Sequence, residues 1–174
     1  MSTISCFAPI ADKDARVLIL GSMPGVASLN QQQYYAHTQN SFWYIMAEFF
    51  SIKPDASYKD KISILKANKI AVWDVLKNCV RPGSLDSDIN SESIVANDFL
   101  VFFRQHQKIN HVFFNGQKAE KEFNKHVIPI LTDQFGDIQY HRLPSTSPAM
   151  AGLNKDQKLA IWRQIKDKLM EDIK

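Results

Sequence analysis

The chain has 174 residues, 45% of them hydrophobic and 22% charged, with a formal net charge of +3 and a sequence pI near 8.8. That length suits one domain, residues 1–174, with a core that buries about 70% of the unfolded surface. The mild positive charge permits a nucleic-acid partner without demanding one, since a dedicated binding face usually lifts the domain pI above ~9.

Two cysteines, Cys6 and Cys79, are too few for an iron–sulfur cluster or a cysteine-based zinc site and read as reduced thiols. There is no signal-peptide pattern and no apolar run of about 18 residues. A cytoplasmic protein with no membrane partner is expected.

Residues 1–15 read as an irregular lead-in. The apolar run Val17-Leu18-Ile19-Leu20 predicts a buried strand over 16–21, ending in Gly21-Ser22-Met23-Pro24-Gly25. A loop over 22–38 carries Tyr34 and Tyr35. Asn40 or Ser41 caps a helix to about Phe50, with Phe42, Met46, Phe49 and Phe50 on one face. A loop with Pro54 precedes a short helix over 59–67. Lys69–Val75 is a second strand, and Asn78–Asp86 a long polar loop with turn residues. A helix is expected from Ser91 or Ser93 to about Gln105. His111–Gly116 is a third strand, Gln117–Val127 a helix and Ile138–Leu143 a fourth strand. Asn154 caps a last helix with Gln157 as its box partner, and Leu159, Trp162, Ile165, Leu169 and Ile173 form its buried stripe. Strands alternating with helices predict an α/β fold: three layers, α/β/α, around a mainly parallel four-stranded sheet.

In such a sheet the carboxyl ends of the strands share one rim, where ligands bind. Three unusual loops meet there: Gly21–Gly25, Asn115-Gly116 and Pro144-Ser145-Thr146-Ser147-Pro148. The Asp86 loop is placed to join them. No dinucleotide fingerprint, P-loop or nucleophile elbow is present, and the five histidines lack metal-ligand spacing. No metal and no cofactor are expected. What remains is amides, hydroxyls and aromatics. Each has a plain structural use: Asn40 as a helix cap, Tyr35 as packing, His37 as a structural histidine, Asn115 as a turn residue, Ser145 and Ser147 as caps.

Together these stretches resemble the uracil-DNA glycosylase superfamily. The carriers are Gly21-Ser22-Met23-Pro24-Gly25, Tyr35-Ala36-His37-Thr38-Gln39-Asn40-Ser41-Phe42-Trp43, Asn115 and Leu143-Pro144-Ser145-Thr146-Ser147-Pro148. The combination, with Gly83-Ser84-Leu85-Asp86, looks most like the hypoxanthine-DNA glycosylase branch. Many members place Asp or Asn where Met23 stands and His where Leu143 stands. Both absences favour hypoxanthine over uracil, since the uracil-type water site is incomplete.

The resemblance implies a DNA repair hydrolase that excises a deaminated base from DNA and leaves an abasic site, without a Schiff-base lysine, acting as a monomer. It implies that Asn40 is the catalytic amide, with His37 assisting. Gly21, Ser22, Met23, Pro24, Tyr35 and Asn115 line the base site, with Tyr35 stacking on the base and Asn115 reading its edge. Ser145, Thr146 and Ser147 grip phosphates, Arg81, Lys118 and Arg142 add phosphate contacts, and Met150 or Leu153 wedges into the gap. Two readings compete: a lesion-binding module that does not cut, and an unrelated nucleoside enzyme.

Overall fold

The computed structural model describes residues 2–171. Its centre is β2 (Val17–Gly21), buried along its whole length because both faces are covered. Strand β3 (Ile70–Asp74) pairs with it in parallel on one side and β6 (His111–Asn115) on the other, and β7 (Gln139–Leu143) pairs in parallel with β6. The spatial order is β3-β2-β6-β7. The parallel four-stranded sheet is as expected.

Alternate residues of the sheet feed two cores. Leu18, Leu20, Val112 and Phe114 pack against α4 (Phe99–Gln105) and α5 (Gln117–His126), through Phe99, Phe102, Phe103, Ala119 and Phe123. Val17, Ile19, Val72 and Phe113 face the other way. They meet Phe42, Ile45, Met46 and Phe49 of α2 (Phe42–Phe50) and Leu65 of α3 (Tyr58–Ala67). Trp162 of α6 (Lys155–Trp162) and Ile165 of α7 (Gln164–Glu171) close this core. The result is three layers, α/β/α.

Five expectations are corrected. The lead-in is not wholly irregular: β1 (Thr3–Ser5) pairs antiparallel with β4 (Leu76–Val80). The stretch after β3 is not all loop, because β4 and β5 (Asn90–Ala96) pair antiparallel and complete a separate three-stranded sheet. The helix expected from Ser91 or Ser93 therefore begins only at Phe99, where the Asp98 carboxylate accepts from Val101 N–H. The loop over 22–38 holds a short helix, α1 (Val26–Gln31). The Asn154–Gln157 capping box is present, but the last helix is two, parted at Arg163. Ile173, assigned to its stripe, lies outside the described residues.

Candidate active site

Gly21 and Asp74 are register partners at the carboxyl ends of β2 and β3. A Cβ on Gly21 would stand 2.6 Å from Asp74 Oδ1 and 3.1 Å from Tyr35 Oη. Only glycine lets the strand end approach both groups so closely. Val75 N–H and Leu76 N–H then donate to the carbonyls of Gly21 and Ser22, at 2.9 and 3.1 Å, fixing the start of the Gly21–Gly25 loop against the end of β3.

The loop itself is held from below. The Ser22 hydroxyl donates to Asp86 Oδ1 at 2.6 Å, so the Asp86 turn does join the rim. Arg81 is 5% exposed. Its guanidinium donates to the carbonyls of Pro24 and Gly83 and ties the two loops together. This corrects its assignment as a phosphate contact, because a buried guanidinium bonded to two carbonyls does not present itself to DNA. Lys118 pairs with Glu122 at 2.8 Å and Arg142 with Glu120 at 3.3 Å.

Tyr35 has a φ of 53°, a left-handed conformation that is rare for a bulky residue and common at functional sites. Its ring is half-buried and stacks on Phe42, with centroids 4.1 Å apart. Its hydroxyl is fully buried. Asn115 lies beside it, but no protein hydrogen bond of good geometry forms. Burial, and then the Asp74 carboxyl, push the phenol well above its usual range, so it stays protonated.

Asn40 sits at the mouth of α2. Its Oδ1 accepts from Phe42 N–H at 3.0 Å, a turn just ahead of the helix whose N-cap is Ser41, while its amide nitrogen has no protein hydrogen-bond partner among the described residues. That bond leaves Oδ1 a second lone pair. His37 is exposed. Its Nδ1 accepts from Gln39 N–H at 3.1 Å and its carbonyl accepts from Asn40 N–H at 2.9 Å, so it shapes the turn that carries Asn40.

The Pro144–Pro148 loop is tied to the rim through Thr146, which has no exposed surface. Asn115 Nδ2 donates to Thr146 Oγ1 and Thr146 N–H donates to Asn115 Oδ1, each at 2.9 Å. The Thr146 carbonyl accepts from Ser41 N–H at 3.0 Å, which joins this loop to the Asn40 turn. Thr146 is therefore an internal tether. That corrects its place among the phosphate-gripping hydroxyls; Ser145 and Ser147, on either side, are half-buried. Gly116 keeps a φ of 97° and meets Ser145 Cβ at 3.0 Å. Lys158, almost wholly buried, donates to the Ser147 carbonyl at 3.1 Å, and Trp162 Nε1 to the Pro144 carbonyl at 2.9 Å. Met150 follows in a turn, half-buried.

Sequence reasoning missed two members of this rim. Lys158 gave no sign beyond being a lysine on a helix. Asp74 did leave one: it is a carboxylate closing an otherwise apolar strand. It is 3% exposed, and its Oδ2 is buried without a protein partner. Burial first, then the nearby Asp86, push its carboxyl up to about 7, against the opposing pull of Arg81. Met23 and Leu143 are both buried, at 6% and 1% exposure.

The Gly21–Gly25 loop, the Asn40 turn, Asn115 and the Pro144–Pro148 loop thus form one connected rim. The sequence profile of the Uracil DNA glycosylase superfamily matches residues 8–166, spanning all of it. The chain belongs to the uracil DNA glycosylase superfamily. Two relatives named hypoxanthine DNA glycosylase each align over 114 residues, 65% of this chain and 71% of theirs. The one from Methanosarcina barkeri is 36% identical and the one from Methanosarcina acetivorans 39%. A solution NMR structure of a candidate uracil DNA glycosylase from Methanosarcina acetivorans superposes with a TM-score of 0.74 at 31% identity, covering 95% of this chain and 99% of that one. As a superfamily member the chain is a DNA glycosylase, and its substrate is DNA. No helix among the described residues is long and apolar enough to cross a membrane.

Proposed function

We propose that this glycosylase hydrolyses the N-glycosidic bond of deoxyinosine in DNA, releases hypoxanthine and leaves an abasic site. The observation that carries the reading is the chemistry at two rim positions. The side chains of Met23 and Leu143 are apolar and buried, so neither can hold or activate water, and the amide of Asn40 keeps free valences at the mouth of the site. The names of the two Methanosarcina relatives point the same way.

The target base lies inside the duplex and is flipped out at a cost of a few kcal/mol, least for a mispaired base. Deamination products are mispaired. The half-buried ring of Tyr35, already backed by Phe42, offers a stacking surface worth about 1–3 kcal/mol. Bond breakage leaves the sugar cationic and the base anionic. Asn40 supplies a lone pair on Oδ1 to hold the attacking water and an N–H pair to steady developing charge. A preorganised donor of this kind is worth about 2.7–4 kcal/mol. Ser145 and Ser147 present hydroxyls and backbone to the flanking phosphates, and the turn at Met150 is the wedge.

Alkali-labile strand scission tests the substrate class. End-labelled duplexes carrying one deoxyinosine or one deoxyuridine are incubated with the protein and then heated in alkali. Scission at deoxyinosine is expected. Scission at deoxyuridine alone would replace hypoxanthine by uracil, and tight binding with no scission would replace the glycosylase by a lesion sensor.

A further inference from the structure

The donors that a carbonyl-bearing base would need are mostly committed elsewhere. The Asn115 amide is clasped to Thr146 with one N–H left over, the Ser22 hydroxyl is spent on Asp86, and Pro24 has no N–H. On the Gly21 side of the rim, beside the unpartnered Tyr35 hydroxyl, the side chain with a carboxyl to offer is Asp74. It stands opposite Gly21 in the sheet register, with Oδ1 and Tyr35 Oη both crowding the place a Cβ on that glycine would take. It is more than nine-tenths buried, its Oδ2 has no protein partner, and no protein donor bonds its carboxyl among the described residues. Its backbone is pinned, because Asn97 Nδ2 donates to the Asp74 carbonyl at 2.8 Å. A base stacked on Tyr35 brings its edge toward the tyrosine hydroxyl, and so toward this carboxyl.

We propose that Asp74 is a specificity-determining residue of the base pocket, whose carboxylic O–H donates a hydrogen bond to the carbonyl oxygen of the extruded base. This rests on the hypoxanthine reading above. Hypoxanthine presents a carbonyl oxygen where adenine presents an amino group. A neutral acid donates to the first and meets the second donor to donor. The same contact strengthens as the bond to the sugar breaks, because the departing base gathers negative charge on that oxygen. An ionised carboxylate would do the opposite, repelling the leaving anion. The surroundings favour the neutral form: the carboxyl is desolvated, Asp86 stands nearby, and Tyr34, Tyr35 and the Cys6 thiol face it as neutral groups. Arg81 is the one cation acting on it; its Nε and Nη2 are bound to two carbonyls, its buried Nη1 has no partner, and its pull is outweighed by burial and Asp86. A neutral buried acid serving as a hydrogen-bond donor to a developing oxyanion is an established device in other enzymes.

The test is the single-turnover rate of excision from a deoxyinosine duplex between pH 5.5 and 8.5, for the unaltered protein, Asp74→Asn and Asp74→Ala. The unaltered protein is expected to lose rate as pH rises through about 7. Asp74→Asn donates through an amide at every pH, and its profile is expected to lack that limb. Asp74→Ala is expected to fall by roughly 10²–10³-fold, the usual loss for one such donor. The proposal is overturned if Asp74→Asn keeps the limb, if Asp74→Ala folds and cuts at the unaltered rate, or if the limb runs the other way, with rate lost as pH falls. Should Asp74→Ala not fold, the Asp74→Asn profile decides alone. Absence of excision by the unaltered protein at every pH overturns the hypoxanthine reading itself, whereas excision with an Asp74-independent profile overturns only this inference.

Discussion

Asn115 and Thr146 are hydrogen-bonded to each other twice, amide to hydroxyl and backbone N–H to amide oxygen, each at 2.9 Å. The end of β6 thereby holds the Pro144–Pro148 loop in place, and one amide N–H of Asn115 remains for other work. Asn115→Ala leaves the buried Thr146 N–H and hydroxyl without partners. An unmet buried group costs about 1–3 kcal/mol, so a loss on the order of 2–4 kcal/mol is expected in denaturant unfolding. Affinity for a lesion duplex, read by fluorescence anisotropy, should weaken with it.

Arg81 separates a structural cation from a DNA-binding one. Each phosphate contact adds about 0.9 to the slope of log affinity against log salt. Arg81→Met should leave that slope unchanged and lower stability by about 2–4 kcal/mol, because two hydrogen bonds from a charged group are lost and the Pro24 and Gly83 carbonyls are left unpaired. A slope reduced by about one, with unchanged melting, would return Arg81 to the phosphate backbone.

Gly21→Ala tests the close approach at the rim. The added methyl would sit 2.6 Å from Asp74 Oδ1, so the carboxyl or the strand end must move. Displacement at a reacting centre is costly even at 1 Å, about 10²-fold. Excision should fall by at least tenfold with binding changed far less.

The raised Asp74 carboxyl also has a stability signature. Its folded value, about 7, lies above the ordinary 3.8. Between those values the native state binds more protons than the unfolded chain, so stability falls as pH rises through that window and is level outside it. The slope from one group is at most about 1.4 kcal/mol per pH unit. Asp74→Asn cannot ionise. The difference between its stability and that of the unaltered protein should widen from pH 4 to 7 in favour of the variant, then stay constant, as followed by urea unfolding across pH.

The sheet was legible because Val17–Leu20, Ile70–Val72 and Val112–Phe114 are short apolar runs, the mark of strands covered on both faces. Asn154 and Gln157 announced α6 by their spacing. The second sheet was not legible. Asn90-Ser91-Glu92-Ser93, which opens the strand paired with Leu76–Val80 on one side, carries no alternation, and the partner on the other side is β1, more than seventy residues earlier. Periodicity cannot see a pairing so remote. At the site, the motif residues were visible as residue types, but their tasks were not. Three hydroxyl residues in a row, Ser145-Thr146-Ser147, give no hint that the middle one turns inward, and Arg81 beside Pro82 and Gly83 reads as surface until its guanidinium is seen against two carbonyls.

The central claim is that the Asn40 amide performs the chemistry, and single-turnover excision of hypoxanthine by Asn40→Ala tests it most directly. Losing the hydrogen bond to Phe42 N–H costs about 1 kcal/mol, so the variant should fold and bind the lesion duplex within a few-fold. The account predicts a rate lower by roughly 10²–10³-fold, as for removal of one preorganised donor. A folded Asn40→Ala that excises hypoxanthine within tenfold of the unaltered rate would contradict it.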